Sequence, residues 1–227
     1  MKVIHKVVVG SRLHNLYNQD SDFDYRGIHM HDVRDVFNPF KTLKNTHWIE
    51  GDEDNTSYEL MDFCKVATKG NPTILEILWS NNIVESTKLG NELVENRKRF
   101  LHSKYILDAH RGYAMNQYNK MNLFDPDVRT PKFAVAYIRS LHQGIQLLNN
   151  GDFTPQIAEP LNSYLMSIKY DFTVDKIPHL SQVFQELQLE INQAYINNRD
   201  RFTPDYEWIA DFVYRAYTEN GKYKYED

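Results

Sequence analysis

The segment Gly10-Ser11-Arg12-Leu13-His14-Asn15-Leu16-Tyr17-Asn18-Gln19-Asp20-Ser21-Asp22-Phe23-Asp24 constrains the fold more than any other stretch of this chain. Ahead of it, Lys2 to Val9 is β-branched and apolar enough for a buried strand. Gly10-Ser11 breaks that strand, Arg12 to Tyr17 carries a short helical pattern, and Asn18 to Ser21 is a polar turn. A second strand begins at Asp22. Side chains alternate along a strand, so Asp22 and Asp24 project together while Phe23 and Tyr25 point the other way. Two carboxylates beside a Gly-Ser turn at a helix start suit a metal-bound nucleoside triphosphate. The carboxylates hold divalent cations, and the turn's N–H groups with the Ser11 hydroxyl take phosphate oxygens.

The bulk properties narrow the setting. With 227 residues the chain has room for one or two domains and a sizeable core. No apolar run reaches membrane-spanning length, and the opening residues read as a strand, not a signal peptide. A single cysteine cannot form an internal disulfide, which points to a reducing, cytoplasmic setting. The net charge of −5 argues against broad coating of nucleic acid while leaving a local basic groove open.

Taken in order, the strand from Asp22 continues to His31, and residues 32–53 form a broken excursion holding short strand pieces. Asp54 to Tyr58 reads as a further strand. Leu60, Phe63, Cys64 and Ala67 then recur at helical spacing, so Cys64 is a core residue and not a nucleophile. Gly70-Asn71-Pro72 closes that helix and opens another to Trp79. Helices dominate from about Asn91: Arg97 to Met121, Lys132 to Asn149, Ile157 to Ile168, Leu180 to Asn198 and Asp205 to Tyr217, with a frayed tail from Gly221 to Asp227. The expected fold is therefore α+β, with a small mixed-sheet domain over residues 1–90 and a helical domain over 91–227 forming the other wall of a cleft.

Gly10-Ser11, a short helix, and then Ser21-Asp22-Phe23-Asp24 resembles the signature of the DNA polymerase beta nucleotidyltransferase superfamily. With Tyr25-Arg26-Gly27 and the later run Lys69-Gly70-Asn71-Pro72-Thr73-Ile74-Leu75-Glu76-Ile77-Leu78-Trp79-Ser80, it is similar to a narrower group of bacterial and phage nucleotidyltransferases associated with RNA repair. The resemblance implies a polymerase beta-like catalytic domain and a third carboxylate on a neighbouring strand. Asp54 is the first choice for that carboxylate. Asp52 shares its strand parity, and Glu59 sits at the strand-to-helix junction on the opposite face.

The resemblance further implies two Mg2+ (or Mn2+) ions with NTP, ATP among the candidates, one ion shared by Asp22 and Asp24 and the second shared with Asp54. The activity implied is transfer of an NMP from an NTP to a hydroxyl acceptor: an RNA end, a protein side chain or a small molecule. Gly10, Ser11 and Arg12 form the expected phosphate side. Lys132 and Arg139, seven residues apart on one helix face, are candidate cations for the triphosphate. The narrower group tends to show Lys-x-Ala-x-His-x-x-Arg here. This chain keeps Lys132, Ala134 and Arg139 but has Ala136 in place of the His. The rival class is a noncatalytic nucleotide-binding module on the same fold.

Other motifs carry less. Asp20-x-Asp22-x-Asp24 fails as a calcium loop, because the sixth and twelfth positions are Tyr25 and His31 where Gly and Glu are needed. His29 and His31 share a strand face but lack further zinc ligands at ligand spacing. Glu76, inside the apolar run Ile74 to Leu78, calls for pairing with an Arg or Lys.

Overall fold

Lys2–Val9 form β1, whose valines and Ile4 supply the branched surface a pleated strand favours. The strand stops at Gly10, which takes a left-handed φ of 67°, and Gly10–Leu13 coil into the short helix α1. Phe23–Met30 (β2) return antiparallel along β1. The chain then passes through α2 (Val33–Val36) and β3 (Thr46–Glu50) into β4 (Glu53–Glu59), which lies parallel to β2. A last strand, β5 (Ile83–Ser86), closes the other edge of a five-stranded mixed sheet ordered β3-β4-β2-β1-β5. The computed structural model describes residues 1–51, 53–123 and 126–218, so Asp52 and the tail from Gly221 lie outside the described residues.

Local chemistry sets the helix starts. Glu59 caps α3 (Leu60–Ala67), accepting from the Met61 and Asp62 N–H groups, and Asn71 caps α4 (Pro72–Trp79) with Pro72 in its first turn. Thr87 caps α5 (Lys88–Glu95). The single helical region expected over 97–121 is divided. A 3₁₀ turn, Arg97–Phe100, runs into an extended Leu101, and α6 begins afresh at Ser103 and ends at Leu123. Helix α7, Thr130–Asn150, ends on Gly151 in the left-handed region with its N–H on the Leu147 carbonyl. Helices α8 (Leu161–Tyr170), α9 (Ile177–Asn198) and α10 (Tyr206–Thr218) complete the chain. One buried cluster joins sheet and helices, running from Ile4, Val7 and Ile28 through Phe63 and Leu75 to Phe100, Tyr137 and Phe212. Cys64 lies within it; burial, reinforced by Glu59, pushes its thiol up to about 12, which leaves it inert.

Buried imidazoles tie stability to pH. His110 is 1% exposed, donates through Nδ1 to the Ser140 carbonyl at 2.7 Å, and is lowered to about 4 chiefly by burial. Below the ordinary histidine value of 6.5 the unfolded chain takes up a proton that the folded chain refuses until about 4. Stability from this group is therefore complete above about 6.5 and is lost as pH falls towards 4, by about 3 kcal/mol in all. His29, held at Ser57 Oγ and also lowered to about 4 by burial, acts in the same window. Thermal midpoints measured from pH 7.5 to 4.5 are expected to fall. His110→Asn, whose amide N–H replaces the Nδ1 donor, is expected to flatten that fall; an unchanged slope would contradict the assignment.

Candidate active site

Register builds the site. Val9, the last residue of β1, pairs with Asp24, and Asp24 pairs in turn with Asp54 on the parallel strand. Paired residues share a sheet face, so Asp24 and Asp54 point the same way while Glu59, five residues on from Asp54, points the other. Gly10 follows Val9 directly and so meets Asp24 at the strand end. A Cβ on Gly10 would fall 2.0 Å from Asp24 Oδ2. Only glycine permits both that contact and the positive φ.

The carboxylates crowd one another. Asp24 is raised above the ordinary carboxyl value first by burial, then by the charges of Asp22 and Asp54, against the opposing pull of Arg26 and Lys132. Asp22 is exposed just before β2, at the end of a turn that Asn18 organises by accepting from the Asp20 N–H and the Ser21 hydroxyl. Asp54 has one covered oxygen, Oδ1, that accepts no hydrogen bond, with the His47 ring nitrogen Nδ1 at 3.3 Å. Among the described residues, no three His, Cys, Asp or Glu side chains converge closely enough to hold a metal by themselves.

A cleft of about 1220 Å³ opens in front of this corner, lined on one side by Gly10, Ser11 and Asp24 and on the other by Lys132 and Arg139 of α7 and Lys169 of α8. Lys132 is exposed and its charge reaches Asp24. Arg12 and Arg139 line the cleft but are engaged. Arg12 donates to the Asp22 carbonyl at 3.0 Å and the Ser21 carbonyl at 2.5 Å, and its guanidinium lies 3.7 Å from the Phe23 ring centre. It thus braces the loop that delivers Asp22. Arg139 donates to Glu76, the partner that a carboxylate in an apolar run requires.

Of the rivals to Asp54, Asp52 lies outside the described residues. Glu59 is buried, caps α3 and accepts from the Tyr217 hydroxyl. Glu59→Ala is expected to lower stability by about 2–4 kcal/mol, from the lost cap and the orphaned Tyr217 hydroxyl. Thermal denaturation reads this directly, and a neutral result would release Glu59 from its structural duty. Sequence reasoning missed Lys169, Glu50 and Glu53 as cleft-lining residues. Lys169 reaches the turn from more than 150 residues away and carries no local signal, whereas Glu50 and Glu53 flank the β3–β4 hairpin in plain view.

This arrangement is an α+β fold of polymerase beta type: a mixed sheet bearing a glycine corner and an acidic strand end, followed by helices. The chain belongs to the RNA repair pathway DNA polymerase beta family, whose family model matches residues 1–208. It is also 25% identical over 215 residues to an uncharacterized protein of Methanocaldococcus jannaschii, across 86% of this chain and 85% of that protein. Family membership supports a nucleotidyltransferase-type role, with nucleotide and nucleic acid as the general substrate classes. Polymerase beta-like nucleotidyltransferases generally use divalent metals. No described helix is long and apolar enough to cross a membrane.

Proposed function

We propose that this protein is a metal-dependent nucleotidyltransferase that moves an NMP from an NTP to a hydroxyl acceptor, with an RNA end the first candidate through family membership. The observation that carries the reading is the close approach of Gly10 and Asp24, which sets the Gly10–Ser11 corner directly against a half-buried carboxylate raised in part by like charge. Residues 1–90 act as the catalytic domain and the helices from 91 onward as the opposing wall. Ser11 and the Gly10 corner receive the β- and γ-phosphates, and Lys132 balances their charge from across the cleft.

Asp22, Asp24 and Asp54 fit a divalent cation. The Asp24 carboxyl is raised by burial and then by the neighbouring charges of Asp22 and Asp54, and the covered Asp54 Oδ1 lacks a hydrogen-bond donor. Magnesium commonly takes only one or two carboxylates and completes its shell with water and substrate phosphates, so a loose acidic set suffices before nucleotide arrives. Mg2+ or Mn2+, two ions in the full complex, would neutralise the triphosphate and lower the pKa of the attacking hydroxyl. A reducing, cytoplasmic setting suits the buried, inert Cys64.

The test is incubation with magnesium and each labelled NTP, offering total RNA or the protein itself as acceptor. Label transferred with release of pyrophosphate is the expected result. The rival reading is a nucleotide-binding module without turnover on the same fold. Tight Mg·NTP binding with no pyrophosphate across a broad acceptor panel would replace the enzyme with that module.

A further inference from the structure

The turn after α1 is gripped by the helical half of the chain at each of three successive residues. His14 Nδ1 lies 2.9 Å from the Pro155 carbonyl, and the His14 carbonyl accepts from the Ile157 N–H at 3.4 Å. Asn15, with a left-handed φ of 58°, gives its carbonyl to Asn162 Nδ2 at 2.9 Å. The Leu16 carbonyl accepts from Lys169 Nζ at 2.5 Å and the Tyr170 hydroxyl at 3.4 Å. The same turn is tied back to the phosphate corner, since the His14 N–H donates to the Gly10 carbonyl and the Leu16 N–H to the Ser11 carbonyl. Any displacement of residues 14–16 therefore pulls directly on Gly10 and Ser11.

Arg139 locks this attachment. A carbonyl only accepts, so the His14 proton sits on Nδ1, and Nε2 accepts from Arg139 at 2.6 Å. Burial and the Arg139 charge both lower His14, keeping it the neutral acceptor this bond needs. The same nitrogen, Arg139 Nη1, also donates to Glu76, which is 4% exposed. Burial alone would raise that carboxyl, but the Arg139 guanidinium holds it well below the usual range. Swinging Arg139 onto a triphosphate would leave Glu76 charged, buried and unpaired, and His14 without its donor. Lys169, whose ammonium rests on a neutral carbonyl, and exposed Lys132 face no such obstacle.

We propose that Arg139 is a positioning residue: with Glu76 and His14 it forms a buried strut from α7 and α4 that holds the Gly10–Ser11 corner against Asp24, and it does not bind the triphosphate. The proposal rests on the nucleotide reading of the cleft for its consequence, but its geometry can be tested without ligand. Hydrogen–deuterium exchange of the full chain is measured at the His14 and Leu16 amides, alongside Mg·ATP affinity, in the wild type, Glu76→Gln, Arg139→Gln and the double variant. Arg139→Lys, which keeps the charge but replaces the planar guanidinium with an ammonium on a different stem, stands in should Arg139→Gln fail to fold.

Each single variant is expected to speed exchange at those amides by roughly tenfold and to weaken Mg·ATP by roughly ten- to a hundredfold. The double variant is expected to match the singles, as members of one unit do. Unchanged exchange would overturn the strut whether or not ATP binds. Tighter or unaltered Mg·ATP binding in Glu76→Gln, with Arg139 freed, would make Arg139 a phosphate ligand and overturn the assignment. Absence of ATP binding in the wild type would defeat the nucleotide reading alone, leaving the exchange result to judge the strut.

Discussion

Gly10→Ala is expected to weaken the fold and remove nucleotide binding together. Two costs combine at this position. The left-handed backbone, with φ of 67°, penalises an L side chain by about 1–2 kcal/mol. The new methyl would also stand 2.0 Å from Asp24 Oδ2, so the carboxylate or the turn must shift. A shift of either separates the phosphate corner from the acidic group, and Mg·NTP affinity is expected to fall by roughly a hundredfold. The two costs separate in the Asp24→Ala background, where the carboxylate conflict is gone and the backbone penalty of about 1–2 kcal/mol remains beside a milder 3.3 Å approach of the residue-24 Cβ. Thermal denaturation of the four proteins gives the cycle. Additive effects, or a fully stable Gly10→Ala, would show that the corner does not press on Asp24.

Asp24→Asn is expected to move stability and activity in opposite directions. Burial and the neighbouring charges of Asp22 and Asp54 raise Asp24, so the folded state holds its proton more tightly than the unfolded state does. Its ionisation therefore costs stability as pH rises through the carboxyl range, and at neutral pH the isosteric amide removes that cost. The variant is expected to melt at or above the wild-type temperature. Turnover should fall by about three orders of magnitude, since the amide neither binds a cation strongly nor offsets charge developing at phosphorus. Asp22→Asn is expected to follow in turnover, whereas His29→Ala, buried behind the sheet beside Ser57, is not. A loss of activity that merely tracked a loss of folding would argue for a structural role.

How far the chain could be read in advance depended on how local each feature is. The Gly-Ser corner, β1 and the acidic strand start lie within 24 residues, so spacing and alternation suffice to describe them. The apolar stripe of α7 and the Asn71-Pro72 start of α4 are equally local. Strand β5 is different: Ile83, Val84 and Glu85 are exposed at a sheet edge, so no alternating pattern marks them. The break before α6 arises where Ser103 bonds the Asn198 carbonyl, a contact from a helix more than 90 residues away. Parity separated Asp54 from Glu59, but only the parallel pairing of β2 and β4 sets Asp54 beside Asp24. Glu76 advertised its need for a cation by standing in an apolar run. Arg139 as that cation, and His14 as the third member, became visible only once α4, α7 and the turn after α1 were packed together.

The most direct test is a single-turnover assay of labelled NMP transfer and pyrophosphate release with Mg·NTP, comparing wild type with folded Asp24→Asn. Transfer by the wild type that disappears in the variant, with the melting temperature preserved, is the expected result. Equal rates in both proteins would contradict a catalytic centre at Asp24.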